Sequence, residues 1–163
     1  MESFRSEIEN PIVQKDIIEQ LNLDNPAFFK KSFSRENLAY MVFEAEDKLH
    51  LAEQILRKNP QPSIIYVTNR KSCTDTVSQL ESLGFKATYY HGGLLPKDKE
   101  NHMKLWMDEK VQIMVATNAF GMGIDKPDVR FVLHYEFPPS LEAYFQEAGR
   151  AGRDGKPSRA IVF

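Results

Sequence analysis

From Gln146 to Gly155 the chain reads QEAGRAGRDG, which sets Arg150 and Arg153 three residues apart, each directly after a glycine. A guanidinium is planar, permanently charged and able to fork two hydrogen bonds onto phosphate oxygens, so such a pair suits a phosphorylated ligand. If a helix runs from Ser140 to Ala148 with Gly149 as its stop, glycines at 149 and 152 let the backbone turn and both arginines project into one cleft. The competing reading is a surface ion pair with Glu147 or Asp154, typically worth only about 0–1 kcal/mol.

Three other stretches carry polar side chains of the kind that bind anions. TNRKS places Asn69 and Arg70 ahead of a helical pattern, where the first amides of a helix could hold a phosphate. Simple capping by Asn69 explains the same residues equally well. HGG sets His91 before Gly92 and Gly93. The two glycines permit close backbone approach, although a Gly-Gly turn needs no ligand. TNAFGMGID runs from Thr117 through Gly121 and Gly123 to Asp125. There main-chain amides can face an anion and Asp125 can accept hydrogen bonds from sugar hydroxyls.

Several chemistries lack the residues they require. No Gly-x-x-x-x-Gly-Lys-Ser/Thr is present, and Gly155-Lys156 is followed by Pro157, which has no amide hydrogen to cradle a phosphate. There is no compact acidic motif at a strand end for magnesium, no His-x-x-x-His or cysteine cluster, and no Gly-x-Ser-x-Gly nucleophile motif. No metal site is expected in the chain. The arginines are therefore expected to meet a phosphate held elsewhere.

The elements that must position these residues alternate along 163 residues, of which 42% are apolar and 27% charged, enough for one globular domain with a true core. Strands are expected at Asn37–Phe43, Ser63–Thr68, Ala87–Tyr90, Gln112–Thr117, Phe131–Tyr135 and Ala160–Phe163. IIYV and IMVA are near-continuous apolar runs, as in parallel strands covered on both faces. Helices are expected at Asp47–Arg57 and Lys71–Leu83, from Pro96 through Met107, and from Ser140, with a further one at Val13–Leu21. The fold class is α/β, a largely parallel central sheet with helices on both faces, and its chemistry belongs on loops at the carboxyl ends of the strands.

Twenty-one basic against twenty-three acidic side chains give a net charge of −2, so phosphate recognition must be local. A single cysteine, Cys73, permits no internal disulfide and suits a reducing, cytoplasmic setting. No apolar run reaches the roughly 20 residues of a membrane span, and MESFRSEIEN has no hydrophobic signal core. No membrane partner is expected.

The run from VQIMVATNAFGMGIDKPDVRFVLHYEFP to YFQEAGRAGRDG resembles motifs V and VI of superfamily 2 helicases, and FGMGIDKPDVRFV with its Gln-x-x-Gly-Arg-Ala-Gly-Arg-Asp-Gly resembles the RecQ DNA helicase family. SIIYVTNRKS resembles motif IV of that family, YYHGGL the segment before its next helix, and SFSRENLAY the lead-in to its second motor domain. The resemblance implies one RecA-like, three-layer motor domain over residues 1–163, with an N-terminal helix and lead-in at about 1–36 and the α/β core at 37–163. It implies that Arg150 and Arg153 face ATP held with Mg2+ by a first RecA-like domain, that Arg153 is an arginine finger, and that Gln146 supports the same cleft. By the same resemblance Gly123 and Asp125 lie on the nucleotide, Asp125 by the ribose, while Asn69, Arg70, His91, Gly92 and Thr117 line a single-stranded DNA track.

The implied activity is unwinding of duplex DNA, 3′ to 5′, in repair and recombination, with localisation in the cytoplasm or at a bacterial nucleoid. The first motor domain is expected before Met1, and family members often continue beyond the position of Phe163 into a zinc-binding module and a winged helix. Two other readings stay open. A DEAD-box RNA helicase motor shares the architecture but typically carries histidine where Gln146 stands, and a non-catalytic nucleic-acid-binding module could keep the fold without the chemistry.

Overall fold

Apolar residues that alternate along parallel strands must be covered twice, and that requirement builds the layers of this protein. The computed structural model describes residues 11–24, 26, 35–121 and 124–163. Six strands, β1 (Leu38–Val42), β2 (Ser63–Tyr66), β3 (Ala87–Tyr90), β4 (Ile113–Ala116), β5 (Phe131–His134) and β6 (Ser158–Val162), form one sheet in the order β1-β6-β5-β2-β4-β3. Every described pairing is parallel. All six expected strand segments are therefore present.

Ile64, Met114, Val132 and Ala160 share one buried cluster with Trp106 of α4 (Pro96–Met107) and Tyr144 and Ala148 of α5 (Leu141–Ala148). Their strand neighbours Ile65, Val115, Leu133 and Ile161 share another with Ala52 and Leu56 of α2 (Lys48–Lys58) and Cys73, Val77 and Leu80 of α3 (Arg70–Ser82). The result is two helices on each face of one sheet. Each large side chain buried this way contributes roughly 1.5–3 kcal/mol, against about 1 kcal/mol for a helix cap, so the alternation dominates the architecture.

Caps then fix where the helices begin. Asp47 accepts from His50 N at 2.9 Å and starts α2, and Ser140 accepts from Ala143 N at 3.1 Å and starts α5. Pro96 opens α4 at a position where no amide hydrogen is needed. β6 begins at Ser158, two residues before the expected Ala160. There Ser158 N donates to Asn37 O at 2.8 Å and Arg159 N to Arg130 O at 2.9 Å, extending the ladder over polar residues that give no strand signal.

The chain divides into two compact units, residues 1–32 and 33–163. The sheet and its four helices belong to the second. In the first, α1 (Pro11–Gln20) starts two residues earlier than expected and carries a Lys15–Glu19 pair at 3.8 Å, one helical turn apart. Because the strands are parallel, the segments leaving β2, β3 and β4 all emerge at one edge of the sheet. These segments carry Asn69, His91 and Thr117.

Candidate functional site

α5 runs behind its Ser140 cap to Ala148 with Gly149 as C-cap, as expected, and delivers the two arginines. Gly149 has φ −62°, an ordinary helical value, so it is no left-handed stop. Its lack of a side chain matters for space, since a Cβ there would lie 2.8 Å from Phe145 O. The turn is made by Gly152, at φ +61°, where a Cβ would lie 2.5 Å from Ser158 Oγ and 2.8 Å from Lys156 O. One glycine rather than two therefore bends the backbone.

Both arginines rest on the segment leaving β4. Arg150 is half-buried, and its guanidinium meets Gly121, where a Cβ would stand 3.0 Å from Nη2. Its Nε is buried with no hydrogen-bond partner among the described residues. Arg153 Nη1 donates to Ile124 O at 2.9 Å and to Asp125 Oδ1 at 3.2 Å. Neither acid of the competing reading takes them: Glu147 Oε2 lies 2.9 Å from His134 Nε2, and Asp154 pairs with Arg130. The Arg130 hydrogen bond holds the Asp154 carboxyl below its usual range.

The Arg153–Asp125 pair is open to water, with side-chain exposures of 36% and 85%. Pairs of this kind are worth about 0–1 kcal/mol and are easily exchanged for a better anion. Gln146 is exposed on α5 two turns of chain before Arg153, and Gly123 lies outside the described residues. The sequence reading missed the buried aromatic bed beneath the arginines. Tyr66 stacks on His134 with ring centroids 5.2 Å apart and planes 17° apart, and its hydroxyl donates to Phe120 O at 2.9 Å. Burial pushes the Tyr66 phenol well above its ordinary range, against the opposing pull of the positively charged Arg150 guanidinium. A histidine closing the otherwise apolar strand FVLH is the one signal that could have revealed this bed.

A second cluster forms where β2, β3 and β4 end. Asn69 caps α3, accepting from Ser72 N at 2.9 Å, so the capping reading holds for its side-chain oxygen. Arg70 is exposed and lies over Gly93, where a Cβ would come within 2.5 Å of Nη1. Gly92 faces Ala119, the nearest atom to an added Cβ being 3.7 Å away. Thr117 N donates to Tyr90 O at 3.2 Å, and Thr117 O accepts from Phe120 N at 2.9 Å. His91 stacks on Tyr89 at 5.7 Å, and its Nδ1 is buried without a partner among the described residues.

Asn69, Arg70, His91, Gly92 and Thr117 are thus brought to one edge, but unequally. His91 and Thr117 are only 9% and 7% exposed. A strand lying on this surface meets Arg70, the Asn69 amide and the glycine backbone first. One cation with nearby amides suits a phosphodiester backbone and reads no bases. Among the described residues no three His, Cys, Asp or Glu side chains converge.

Residues 47–155 match the profile of the helicase conserved C-terminal domain. The chain is 45% identical to the ATP-dependent helicase SGS1 of Saccharomyces cerevisiae, an alignment covering 93% of this chain and 11% of that protein. It is 43% identical to the RecQ-like DNA helicase BLM of Xenopus laevis, covering 94% of this chain and 12% of that protein. The chain therefore spans little more than a tenth of the length of these relatives. Among solved structures, S. cerevisiae Dbp5 bound to RNA and ADP BeF3 superposes with a TM-score of 0.79 over 97% of this chain and 43% of that one, at 22% identity. That likeness carries the fold alone.

Proposed function

Because the chain belongs to the helicase conserved C-terminal domain family, in its RecQ type, we propose that it is the second motor domain of an ATP-dependent DNA helicase. Its first role is to present Arg150 and Arg153 to ATP held on a first RecA-like domain. The observation that carries this reading is the seating of Arg150 against Gly121 and of Arg153 against Ile124 O and Asp125, the Asp125 pair being exposed. A phosphoryl group entering the cleft offers Arg153 a stronger, bidentate partner than Asp125. Release of Asp125 then frees a carboxylate for the ribose hydroxyls, while Arg153 stabilises the charge that develops on the transferring phosphoryl group. Gln146 and Gly123 complete the cleft. Mg2+ is held with ATP by residues of the first domain.

Its second role is to line the path of a single DNA strand with Asn69, Arg70, His91, Gly92 and Thr117. Closing and opening of the cleft with each ATP changes the grip on the strand, so cycling separates a duplex, in the 3′ to 5′ direction. A motor of this kind serves DNA repair and recombination.

The reading is tested by ATP hydrolysis and unwinding with the longer protein that carries this chain, in the presence of single-stranded DNA or of single-stranded RNA. DNA stimulates turnover and RNA does so weakly or not at all. Stimulation by RNA alone would give the chain to the DEAD-box class, and no stimulation by either would leave a binding module.

A further inference from the structure

One acid lies on the buried side of α5 among apolar neighbours. We propose that Glu147 and His134 are positioning residues for the arginine pair, the imidazole Nε2–H donating to the Glu147 carboxylate and so fixing the rotation of the helix end from which Arg150 leaves. This rests on the motor reading above and names the side chains that aim its cations.

The buried residues of α5 are Tyr144, Glu147 and Ala148. Its start is set by the Ser140 cap and its middle by the Tyr144 ring, but beyond these the apolar grip of the helix is the single methyl of Ala148. Apolar packing has no direction of its own, whereas a hydrogen bond does. Glu147 supplies that direction, with Oε2 lying 2.9 Å from His134 Nε2 and both residues buried. Replacing both members of a buried polar pair by apolar side chains is often neutral or stabilising, so stability alone does not account for this one.

His134 is suited to be the fixed partner. It closes β5, which lies between β6 and β2 in the sheet, and its carbonyl accepts from Phe163 N at 3.0 Å. Its ring packs against Tyr66 at 5.2 Å and Tyr144 at 5.1 Å. Its Nδ1 is buried without a partner among the described residues, so the one proton of a neutral ring belongs on Nε2, toward the carboxylate.

Glu147 passes this constraint on through its backbone. Its carbonyl accepts from Arg150 N at 3.2 Å, so one residue grips the sheet with its side chain and Arg150 with its main chain. Gln146 precedes it on the exposed side, about 100° around the helix. A roll of α5 therefore moves Gln146 together with Arg150, whose guanidinium lies against Gly121. Misplacing a catalytic group by about 1 Å can cost about 10²-fold in rate.

The experiment uses the complete helicase that carries this chain, with Glu147→Gln, Glu147→Met and the double variant His134→Phe/Glu147→Met. Glutamine keeps an acceptor oxygen for Nε2–H, methionine keeps the length of the side chain without one, and the double variant leaves no polar group unpaired. Glu147→Met and the double variant lower the single-stranded-DNA-stimulated kcat by about tenfold, short of the 10²-fold limit because the Ser140 cap and Tyr144 still hold the helix. KM for ATP and DNA affinity by fluorescence anisotropy change by less than about twofold, and Glu147→Gln restores most of the turnover. The double variant recovers the thermal unfolding midpoint of the unaltered protein but not its kcat, which a purely structural pair would recover as well. In an Arg150→Ala background Glu147→Met adds little further loss, because both act through the same side chain. If the double variant does not fold, Glu147→Met against Glu147→Gln decides, since only a neutral N–H is left unpaired. Full turnover in folded Glu147→Met, equal losses in Glu147→Gln and Glu147→Met, or losses that multiply with Arg150→Ala overturn the positioning role and leave the motor reading in place. Absence of DNA-stimulated hydrolysis in the unaltered protein overturns both.

Discussion

Asn69 shows how a single side chain can serve the fold and the ligand at once. Its oxygen is committed to Ser72 N at 2.9 Å, while its amide stays at the surface beside Arg70. Aspartate caps a helix as well as asparagine does and adds a charge that the helix N-terminus favours. The same charge repels a phosphodiester strand. Asn69→Asp should therefore leave the thermal unfolding midpoint of the chain unchanged or slightly raised, yet weaken binding of a single-stranded oligonucleotide severalfold. Asn69→Ala should instead cost about 1 kcal/mol of stability. A destabilised Asn69→Asp protein would contradict the capping role, and unchanged DNA binding would remove Asn69 from the track. Residues such as Asn69, Arg70 and Asp125 were legible in the sequence because polar side chains that directly follow an apolar strand stand out. Tyr66 and Phe120 were not, since an aromatic residue inside an apolar run looks like core, and here it is core with a hydrogen-bonding edge. Nor could spacing reveal that Arg153 lies on Asp125 instead of Glu147 or Asp154, because the partner is twenty-eight residues away along the chain.

Between α5 and β6 the chain is held by a knot of backbone acceptors around Gly152. Asn37 Nδ2 donates to Gly152 O at 2.8 Å and to Lys156 O at 2.9 Å, and Arg35 reaches Gly149 O at 3.0 Å and also Gly152 O. These contacts tie the lead-in of β1 to the turn that carries Arg153. Gly152 combines φ +61° with three neighbours that a Cβ would meet at 2.8 Å or less, one of them backbone. Gly155 has φ +81° but nothing within 4 Å. The left-handed conformation alone costs a residue with a Cβ about 1–2 kcal/mol, and overpacking adds about 1–3 kcal/mol. Urea unfolding of Gly152→Ala should show a loss of at least about 2 kcal/mol, clearly larger than that of Gly155→Ala. Equal losses would mean that space around Gly152 is not what the glycine serves. At this scale the strands and helices followed from periodicity, because period 2 against period 3.6 is set by which faces are covered. The early start of β6 and the crowding that excludes a Cβ at Gly149 and Gly152 did not, since both depend on atoms brought in from Asn37, Phe145 and Arg130.

At the scale of the whole molecule, a parallel sheet collects the loops of three strands on one edge and lets α5 bring its arginines to the segment that leaves β4. That much of the site was legible, since alternation implied the sheet and the sheet implied the edge. The strand order was not, as it depends on long-range pairing that no local pattern records. With a net charge of −2 and one exposed arginine at the proposed track, the isolated chain should bind single-stranded DNA weakly, without base preference and less well as salt rises. Arg70→Ala should reduce the slope of log K against log salt by about 0.7, the value of one phosphate contact on a single strand. An unchanged slope would place the phosphate contact elsewhere. The isolated chain should also hydrolyse no ATP, because it carries no Gly-x-x-x-x-Gly-Lys-Ser/Thr run to cradle the nucleotide phosphates. The central claim is that Arg153 acts on the transferring phosphoryl group, and steady-state ATP hydrolysis at saturating single-stranded DNA tests it most directly, using the complete motor carrying Arg153→Ala or Arg153→Lys. The account expects kcat to fall by about 10³ or more in both variants, with KM for ATP and the thermal unfolding midpoint little changed. Near-normal turnover in a well-folded Arg153→Lys protein would contradict it.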